Sequence, residues 1–466
     1  MKRVRNACLS FAALCAAALL YAGCGDRGAT QPQPYGPAAV VVSGDTAGWI
    51  VPCGCTANQS GGLQRRGTFL KNLRAGGGHG ANGGQTRDVL YVDAGGAAGG
   101  TSAYHATKFR AILKGEMLMG LVAHNLGKSE IAMGPARLRE ISSELKAPFV
   151  SANIRPLDGS IVPAEPVRFA TAGGRRYAIV GVCSPSFATK EIAIDDPASA
   201  VAKTVADVKG QFDALVVLAY MPQDELDQLA ATVPEADAVI GGPTGQALVP
   251  RPVGQVLVGA ATNKGKFLVR LDHDHTAHGQ QASTGWKGTV DEMGPSIADE
   301  EAQLANLQAY LAELEKLDYI ASETGLVTPP PAHAPADYRI AGSTACISCH
   351  AAEHAQWASS KHAHAWETLV DHKYHVDSYC QSCHTTGFGQ PGGFENRAKS
   401  EATLTAVGCE SCHGPSQAHV SQPSVRTTFN AFDQCISCHD QENSPKFDLK
   451  DYWSRIQHGK KIEAVR

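Results

Sequence analysis

Between Cys346 and His439 the pattern Cys-x-x-Cys-His occurs four times: Cys346-Ile-Ser-Cys349-His350, Cys380-Gln-Ser-Cys383-His384, Cys409-Glu-Ser-Cys412-His413 and Cys435-Ile-Ser-Cys438-His439. Two thiols at this spacing match the two vinyl groups of a haem, and the adjoining His reaches the iron from one side, so each motif reads as a c-type haem attachment site. One such motif arises by accident; four in so short a stretch do not. Zinc is the competing use of Cys pairs and His, but zinc needs only half of these side chains per ion and gives no reason for His to follow every pair directly. The segment has few large apolar residues and cannot bury much surface by itself. Four haem c groups are therefore expected to supply its core.

The remaining cysteines fall elsewhere. Of 14 in the chain, Cys8, Cys15 and Cys24 lie in the first residues, and Cys53, Cys55 and Cys183 lie in the middle. Met1-Lys-Arg-Val-Arg5 is a basic lead, and Ala7 to Ala22 is an apolar stretch too short for a comfortable membrane span, which together read as an export signal. The signal ends in Tyr21-Ala22-Gly23-Cys24, which resembles a bacterial lipobox with Tyr21 in place of the usual Leu. Two readings stand: lipidation at Cys24, or a plain cleaved signal with an incidental cysteine. Residues 1–24 are thus expected to be a lipoprotein-type signal peptide and 25–37 a Gly-, Gln- and Pro-rich tether. The expected location is the periplasm or the outer membrane surface, with the membrane held through the lipid anchor. An exported chain is also where c-type haem is attached.

With 466 residues, 43% hydrophobic and 18% charged, the chain is long enough for two or three domains with real cores. Its net charge of −4 offers no broad basic surface, so no nucleic-acid partner is expected. Residues 38–275 alternate short apolar runs with helical patterns, which predicts an α/β layered domain. The strands are AVVVS, DVLYVDAGG, APFVSANI, YAIVGV, DALVVLAY, ADAVIGG and QVLVGA, and the helices run over Ala106–Leu126, Pro135–Leu145 and Ala198–Phe212. A polar, Gly-rich stretch then marks a boundary. Residues 276–342 form a linker holding an amphipathic helix over 297–320, with Leu304, Leu307, Leu311, Leu314 and Leu317 on one stripe, and the stiff Pro-rich run Thr328–Pro335. The haem segment is 343–466.

The stretches around the second and third motifs, Cys380-Gln-Ser-Cys-His-Thr-Thr-Gly-Phe-Gly-Gln-Pro-Gly-Gly-Phe394 and Leu404-Thr-Ala-Val-Gly-Cys-Glu-Ser-Cys-His-Gly-Pro415, resemble the cytochrome c-554 family. These are tetrahaem carriers best known for taking electrons from hydroxylamine oxidation. The resemblance covers Ser343 to about Lys461 and implies a mostly α, haem-cored tetrahaem domain with three bis-His irons and one open. His350, His384, His413 and His439 are the near ligands. His354, His362, His364, His372, His375, His419 and His458 lie outside the motifs, and the positions matching the family's distal ligands are His362, His419 and His458. The stretch after His413 is shorter than in that family and the region before His458 is trimmed.

Residues 38–275 resemble the metallophosphoesterase domain of 5'-nucleotidases through Val42-Ser-Gly-Asp45, Val92-Asp-Ala-Gly-Gly96, Phe149-Val-Ser-Ala-Asn153, Ala178-Ile-Val-Gly-Val-Cys183 and Val239-Ile-Gly-Gly-Pro-Thr-Gly245. The resemblance implies a four-layer α/β fold, two sheets between helices. That family holds two metal ions with Asp, Asn and His ligands so that a bound hydroxide attacks phosphorus. Asp45 remains, but Ala47 and Tyr220 replace His, Gly96 replaces the bridging Asp, Pro135-Ala136 replaces an Asn-His pair, and Gly241–Gly245 lacks two His. The fold is expected to serve another purpose. Pro52-Cys53-Gly54-Cys55 resembles a branch of nucleotidase-like proteins with selenocysteine at one of these positions. Beside Arg65 and Arg66 the two thiols are candidates for redox or soft-metal chemistry; the alternative is a structural disulfide of one of them with Cys183. His273, His275 and His278 read as solvated at a strand end.

Two functional classes follow, besides a residual nucleotidase. The first is an electron-transfer protein that passes electrons to redox partner proteins. The second is an oxidoreductase with an open haem iron acting on a small nitrogen species, or with the Cys53/Cys55 pair exchanging electrons with the haems.

Overall fold

Strand Ala38–Ser43 is apolar at nearly every position because both of its faces are covered. Ala38, Val40 and Val42 pack between two sheets, while Ala39 and Val41 pack under helices. In this computed structural model, which describes residues 35–52, 59–77, 86–273, 285–330, 337–427 and 431–458, the first sheet has six strands. Their spatial order is Trp286–Glu292, Phe267–His273, Ala38–Ser43, Asp88–Asp93, Leu121–Asn125 and Phe149–Val150. The last four run parallel, and Phe267–His273 and Trp286–Glu292 join antiparallel. The second sheet is ordered Leu248–Val253, Val256–Ala260, Ala238–Gly242, Ala214–Tyr220, Arg175–Cys183 and Val167–Ala172.

The inner faces meet through Val40, Val42, Leu90 and Val92 on one side and Ile179, Val216, Leu218 and Ile240 on the other. Helices Leu63–Arg74, Ala103–Leu118, Gly134–Leu145 and Glu301–Leu317 cover the outside of the first sheet. Helices Pro197–Asp207 and Gln223–Thr232 cover the second. The result is the expected four-layer α/β arrangement. Two expectations change. The run Ala106–Leu126 is a helix only to Leu118, and Gly120 at φ 81 turns the chain into strand Leu121–Asn125. The domain also extends past 275, because Trp286–Glu292 pairs along its whole length with Phe267–His273.

Pro37 to Arg466 form one compact unit. Helix Glu301–Leu317 buries Leu307, Leu311 and Leu314, while Leu304 and Leu317 at the ends of the expected stripe stay exposed. The Gln303 and Asn306 amides donate to Gly115 O and Ala111 O of helix Ala103–Leu118 at 2.9 Å each. The C-terminal segment is built of short helices, Ala351–Ala358, Ala365–Asp371, Ser378–His384, Cys409–His413, Gln417–Ser421, Ala431–Cys438 and Leu449–Ile456. Its apolar cluster is small: Phe388, Phe394 and Leu404, joined by Ala321 and Ile340 of the preceding linker. Among the described residues no helix is long and apolar enough to cross a membrane.

Candidate functional site

Each Cys-x-x-Cys-His is wound into a helical turn. The backbone N–H of His350 donates to Cys346 O at 2.9 Å and that of His439 to Cys435 O at 2.8 Å; the second and third motifs lie in helices Ser378–His384 and Cys409–His413. Positions i, i+3 and i+4 share a helix face, so the turn puts both thiols and the imidazole on one side.

Three motif imidazoles face an imidazole from elsewhere in the chain. Ring centres are 6.3 Å apart for His350 and His419, 5.8 Å for His413 and His458, and 6.1 Å for His439 and His362. Two metal–nitrogen bonds of about 2 Å, with about 1 Å from each nitrogen to its ring centre, span about 6 Å. Each pair is therefore spaced to hold one iron. No partner comes from the motif nearest to it in sequence: His419 follows the third motif and faces the first, His458 follows the fourth and faces the third, and His362 follows the first and faces the fourth. Second ring nitrogens of several of these imidazoles, and of His384, are engaged. His419 Nδ1 lies 2.8 Å from Val425 O, His458 Nδ1 3.0 Å from Ile456 O, His384 Nδ1 2.7 Å from Ala365 O and His439 Nδ1 2.8 Å from Ser444 Oγ. An Nδ1–H donated to a carbonyl leaves Nε2 as the bare, metal-binding nitrogen. His384 differs, because among the described residues no second imidazole faces it. His354 and His375 pack on Trp357 and Trp366, and His364 is exposed beside Glu367.

The motifs also pack on one another: helix Cys409–His413 lies against the turn Ser343–Cys346 and against helix Ala431–Cys438, and Cys409 N–H donates to Ser343 Oγ at 3.2 Å. The buried Glu410 carboxylate accepts the N–H groups of Ala341, Gly342 and Ser416 at 2.7–3.1 Å. Trp357 Nε1 donates to Val407 O at 2.9 Å, and Val407 N donates to His362 O at 3.1 Å. Two thiols and an imidazole on one side of each turn, imidazoles at iron-spanning distances and so little apolar core fit haem c.

The strand ends of the α/β domain gather a second set of residues. Asp45 is half-enclosed; its Oδ2 accepts Thr262 Oγ1 at 2.7 Å, and Tyr220 OH stands 3.5 Å from Oδ1. Burial pushes the Asp45 carboxyl up. The Tyr220 ring fills the space in front of Gly96: a Cβ placed there would lie 2.4 Å from Tyr220 Cε2. The segment that abuts Gly96 is Gly127, whose Cβ would lie 2.4 Å from Gly96 N. Pro135 and Ala136 stand at the start of helix Gly134–Leu145.

Three thiol expectations change or fall outside view. Cys183 is a free, fully buried thiol, and burial pushes its pKa up, so it is a packing residue rather than a redox thiol. Arg66 cannot activate neighbouring thiols, because its guanidinium is committed to Glu116 at 3.1 Å, Tyr91 OH at 3.0 Å and Thr46 Oγ1 at 3.0 Å. Arg65 donates to the carbonyls of Gln59 and Met293. Cys24, Cys53, Cys55, His275 and His278 lie outside the described residues, and His273 packs edge-on against Trp286.

The sequence reading missed a buried ionic network. Asp93, Glu116 and His124 come together with Arg66, all fully buried. His124 Nδ1 lies 3.1 Å from Glu116 and 3.7 Å from Asp93. Burial pushes the Glu116 carboxyl up to about 7. Burial opposes charge on His124, but Asp93 and Glu116 outweigh it and carry the imidazole up to about 9. Two carboxylates against a guanidinium and an imidazolium make a balanced set. Its trace in the sequence was Glu116 on the apolar face of a helix, one turn after Ile112 and two after Phe109.

The profile of the family described as "Cytochrome c554 and c-prime" matches residues 345–414, which span the first three motifs. Cytochrome c-554 of Nitrosomonas europaea is 38% identical over 95 residues, covering 17% of this chain and 40% of that protein. The chain thus spans two fifths of that curated relative's length. Among solved structures, a 5'-nucleotidase precursor from Thermus thermophilus is 22% identical with a TM-score of 0.49, covering 61% of this chain and 60% of that one. The sulfate thiohydrolase SoxB, from the same species, is 18% identical with a TM-score of 0.48, covering 62% and 63%. The calcineurin-like phosphoesterase YfkN of Bacillus subtilis is 14% identical with a TM-score of 0.47, covering 60% and 98%.

Proposed function

We propose that the chain is an exported multihaem c-type cytochrome that transfers electrons through four covalently attached haems. The observation that carries this reading is the set of three imidazole pairs at 5.8–6.3 Å, each joining a motif to a distant part of the chain. When bound, haem supplies one-electron chemistry at each iron. The protein's residues do the rest. The cysteine pairs would fix each group covalently, the facing imidazoles would ligate the irons of the first, third and fourth motifs, and the carbonyls on Nδ1 of His419 and His458 would hold those two rings in their ligating tautomer. A closed, bis-imidazole iron changes charge without binding or releasing a ligand, which suits electron transfer. The iron at His384 has no imidazole facing it among the described residues and is proposed to be open. That supports a second role, the binding or reduction of a small nitrogen species. The alkaline pyridine spectrum and the intact mass of the purified chain test the count: four haems per polypeptide are expected, and any smaller number contradicts it.

For the α/β domain we propose a scaffold whose two-metal chemistry is gone. Gly96 offers no ligand, and the Tyr220 ring stands where a side chain at 96 would have to go. Phosphatase assays with added Mn²⁺ or Zn²⁺ are expected to show no turnover; metal-dependent hydrolysis would overturn this part. Anchoring through lipid on Cys24, at the periplasmic face or the outer surface, belongs to the same proposal, as does exchange with redox partner proteins. A Cys24→Ser variant that stays with the membrane fraction after a salt wash would count against the anchor.

A further inference from the structure

The second motif is gripped by the α/β domain through one carboxylate. Asp377, 6% exposed, caps helix Ser378–His384 by accepting Tyr379 N–H at 3.0 Å. Its oxygens also accept Tyr104 OH at 2.5 Å and Tyr310 OH at 3.2 Å. Lys108 Nζ stands 3.5 Å from the same carboxylate and donates to Tyr104 OH at 3.1 Å. Tyr104 and Lys108 come from helix Ala103–Leu118 and Tyr310 from helix Glu301–Leu317, so the whole clamp is presented by the domain that carries no Cys-x-x-Cys-His. Two residues on, Tyr379 meets Trp49 edge-on at 5.5 Å between ring centres and takes Lys108 over its face at 5.3 Å. Burial pushes both clamp phenols well up, which keeps them as O–H donors.

A buried carboxylate within one helical turn of Cys380 is thus paired with a half-buried ammonium, where solvent screens both only in part. We propose that Asp377 and Lys108 set the reduction potential of the haem held by Cys380 and Cys383, with Asp377 also the positioning residue for its attachment helix. The inference rests on the reading of that motif as a haem site. Ferric haem carries one more positive charge than ferrous. A nearby carboxylate therefore favours the ferric state and lowers the potential, and a nearby ammonium does the reverse. The α/β domain is in this account part of the haem's electrostatic environment and not a passenger.

The test is a spectroscopic redox titration of the full haem-loaded chain alongside Asp377→Asn, Lys108→Met and the double variant, with thermal unfolding followed in parallel. Asp377→Asn raises one midpoint by roughly tenfold in the reduction equilibrium, about 59 mV for one electron. Lys108→Met lowers the same midpoint, the double variant returns towards the parent, and the other midpoints hold. Shifts of the same sign in both single variants, a common drift of all midpoints, or unchanged potentials with lowered thermal stability overturn the proposal, the last leaving only a packing role. Should Asp377→Asn fail to load, Tyr310→Phe removes one donor from the carboxylate, keeps the ring, and is expected to lower the same midpoint; no movement there is equally contrary. Peptide masses taken beforehand separate the two claims: a haem-free Cys380–His384 peptide sinks the haem reading itself, whereas a loaded peptide with unmoved potentials sinks only the clamp.

Discussion

The family resemblance marked His362, His419 and His458 as distal ligands, while nothing local in the sequence said which motif each would face. The structure supplies that through the ring each one meets. His362 faces His439 at 6.1 Å, and replacing it with Ala is expected to turn one low-spin ferric signal into a high-spin one without loss of haem from Cys435 and Cys438. An unchanged spin inventory would count against that pairing. The buried network makes a second residue-scale prediction. Its imidazole sits above its ordinary value of 6.5, at about 9, so its stabilisation is complete below pH 6.5 and is lost as pH rises through about 9. Glu116 titrates lower with the same sign: its raised value contributes stability below its ordinary 4.5 that is lost by about 7, which leaves the window from about pH 7 to about 9 to His124. Urea unfolding should show the chain weakening across that window. His124→Gln should be less stable at pH 7 by about 3–5 kcal/mol, since two carboxylates lose a cationic partner, and should weaken less steeply. Parallel pH profiles for the two would contradict the assignment.

Helix Glu301–Leu317 shows which features of an element can be read in advance. Its leucine spacing foretold the helix and its buried stripe at Leu307, Leu311 and Leu314. It could not foretell that Gln303 and Asn306 would also be buried, because their value lies in two backbone carbonyls of a helix about two hundred residues earlier. Leu314→Ala is expected to cost about 2–5 kcal/mol in urea unfolding, as for a fully enclosed leucine, whereas Leu317→Ala, 41% exposed, should cost under about 1 kcal/mol. Equal effects would mean that the helix is not docked by this face. The Cys-x-x-Cys-His turns were legible down to the residue, since attachment chemistry is local. The strands Leu121–Asn125, Val167–Ala172 and Leu248–Val253 were not; the first hid in the tail of a helical pattern, and the other two are edge or half-exposed strands with polar and Pro positions.

For the molecule as a whole, sequence spacing separated an α/β half from a haem half and placed a stiff linker between them. Polar contacts join the two halves: Lys264 and Lys266 meet Glu442 at 3.3 and 2.8 Å, Arg397 meets Asp318 at 3.1 Å, and Asp377 lies under Tyr104 and Tyr310. Contacts of this kind join residues far apart in the chain and leave no periodic trace, and for the same reason the cross-motif imidazole pairing was invisible until the fold was known. That His384 meets no second imidazole among the described residues is likewise a property of the assembled segment. The account therefore stands on its count of closed and open irons. Electron paramagnetic resonance of the fully oxidised, haem-loaded chain tests it directly. Three low-spin bis-imidazole haems and one high-spin haem that binds nitric oxide are predicted; four low-spin haems, or a high-spin signal that persists after Cys380 and Cys383 are replaced, would contradict it.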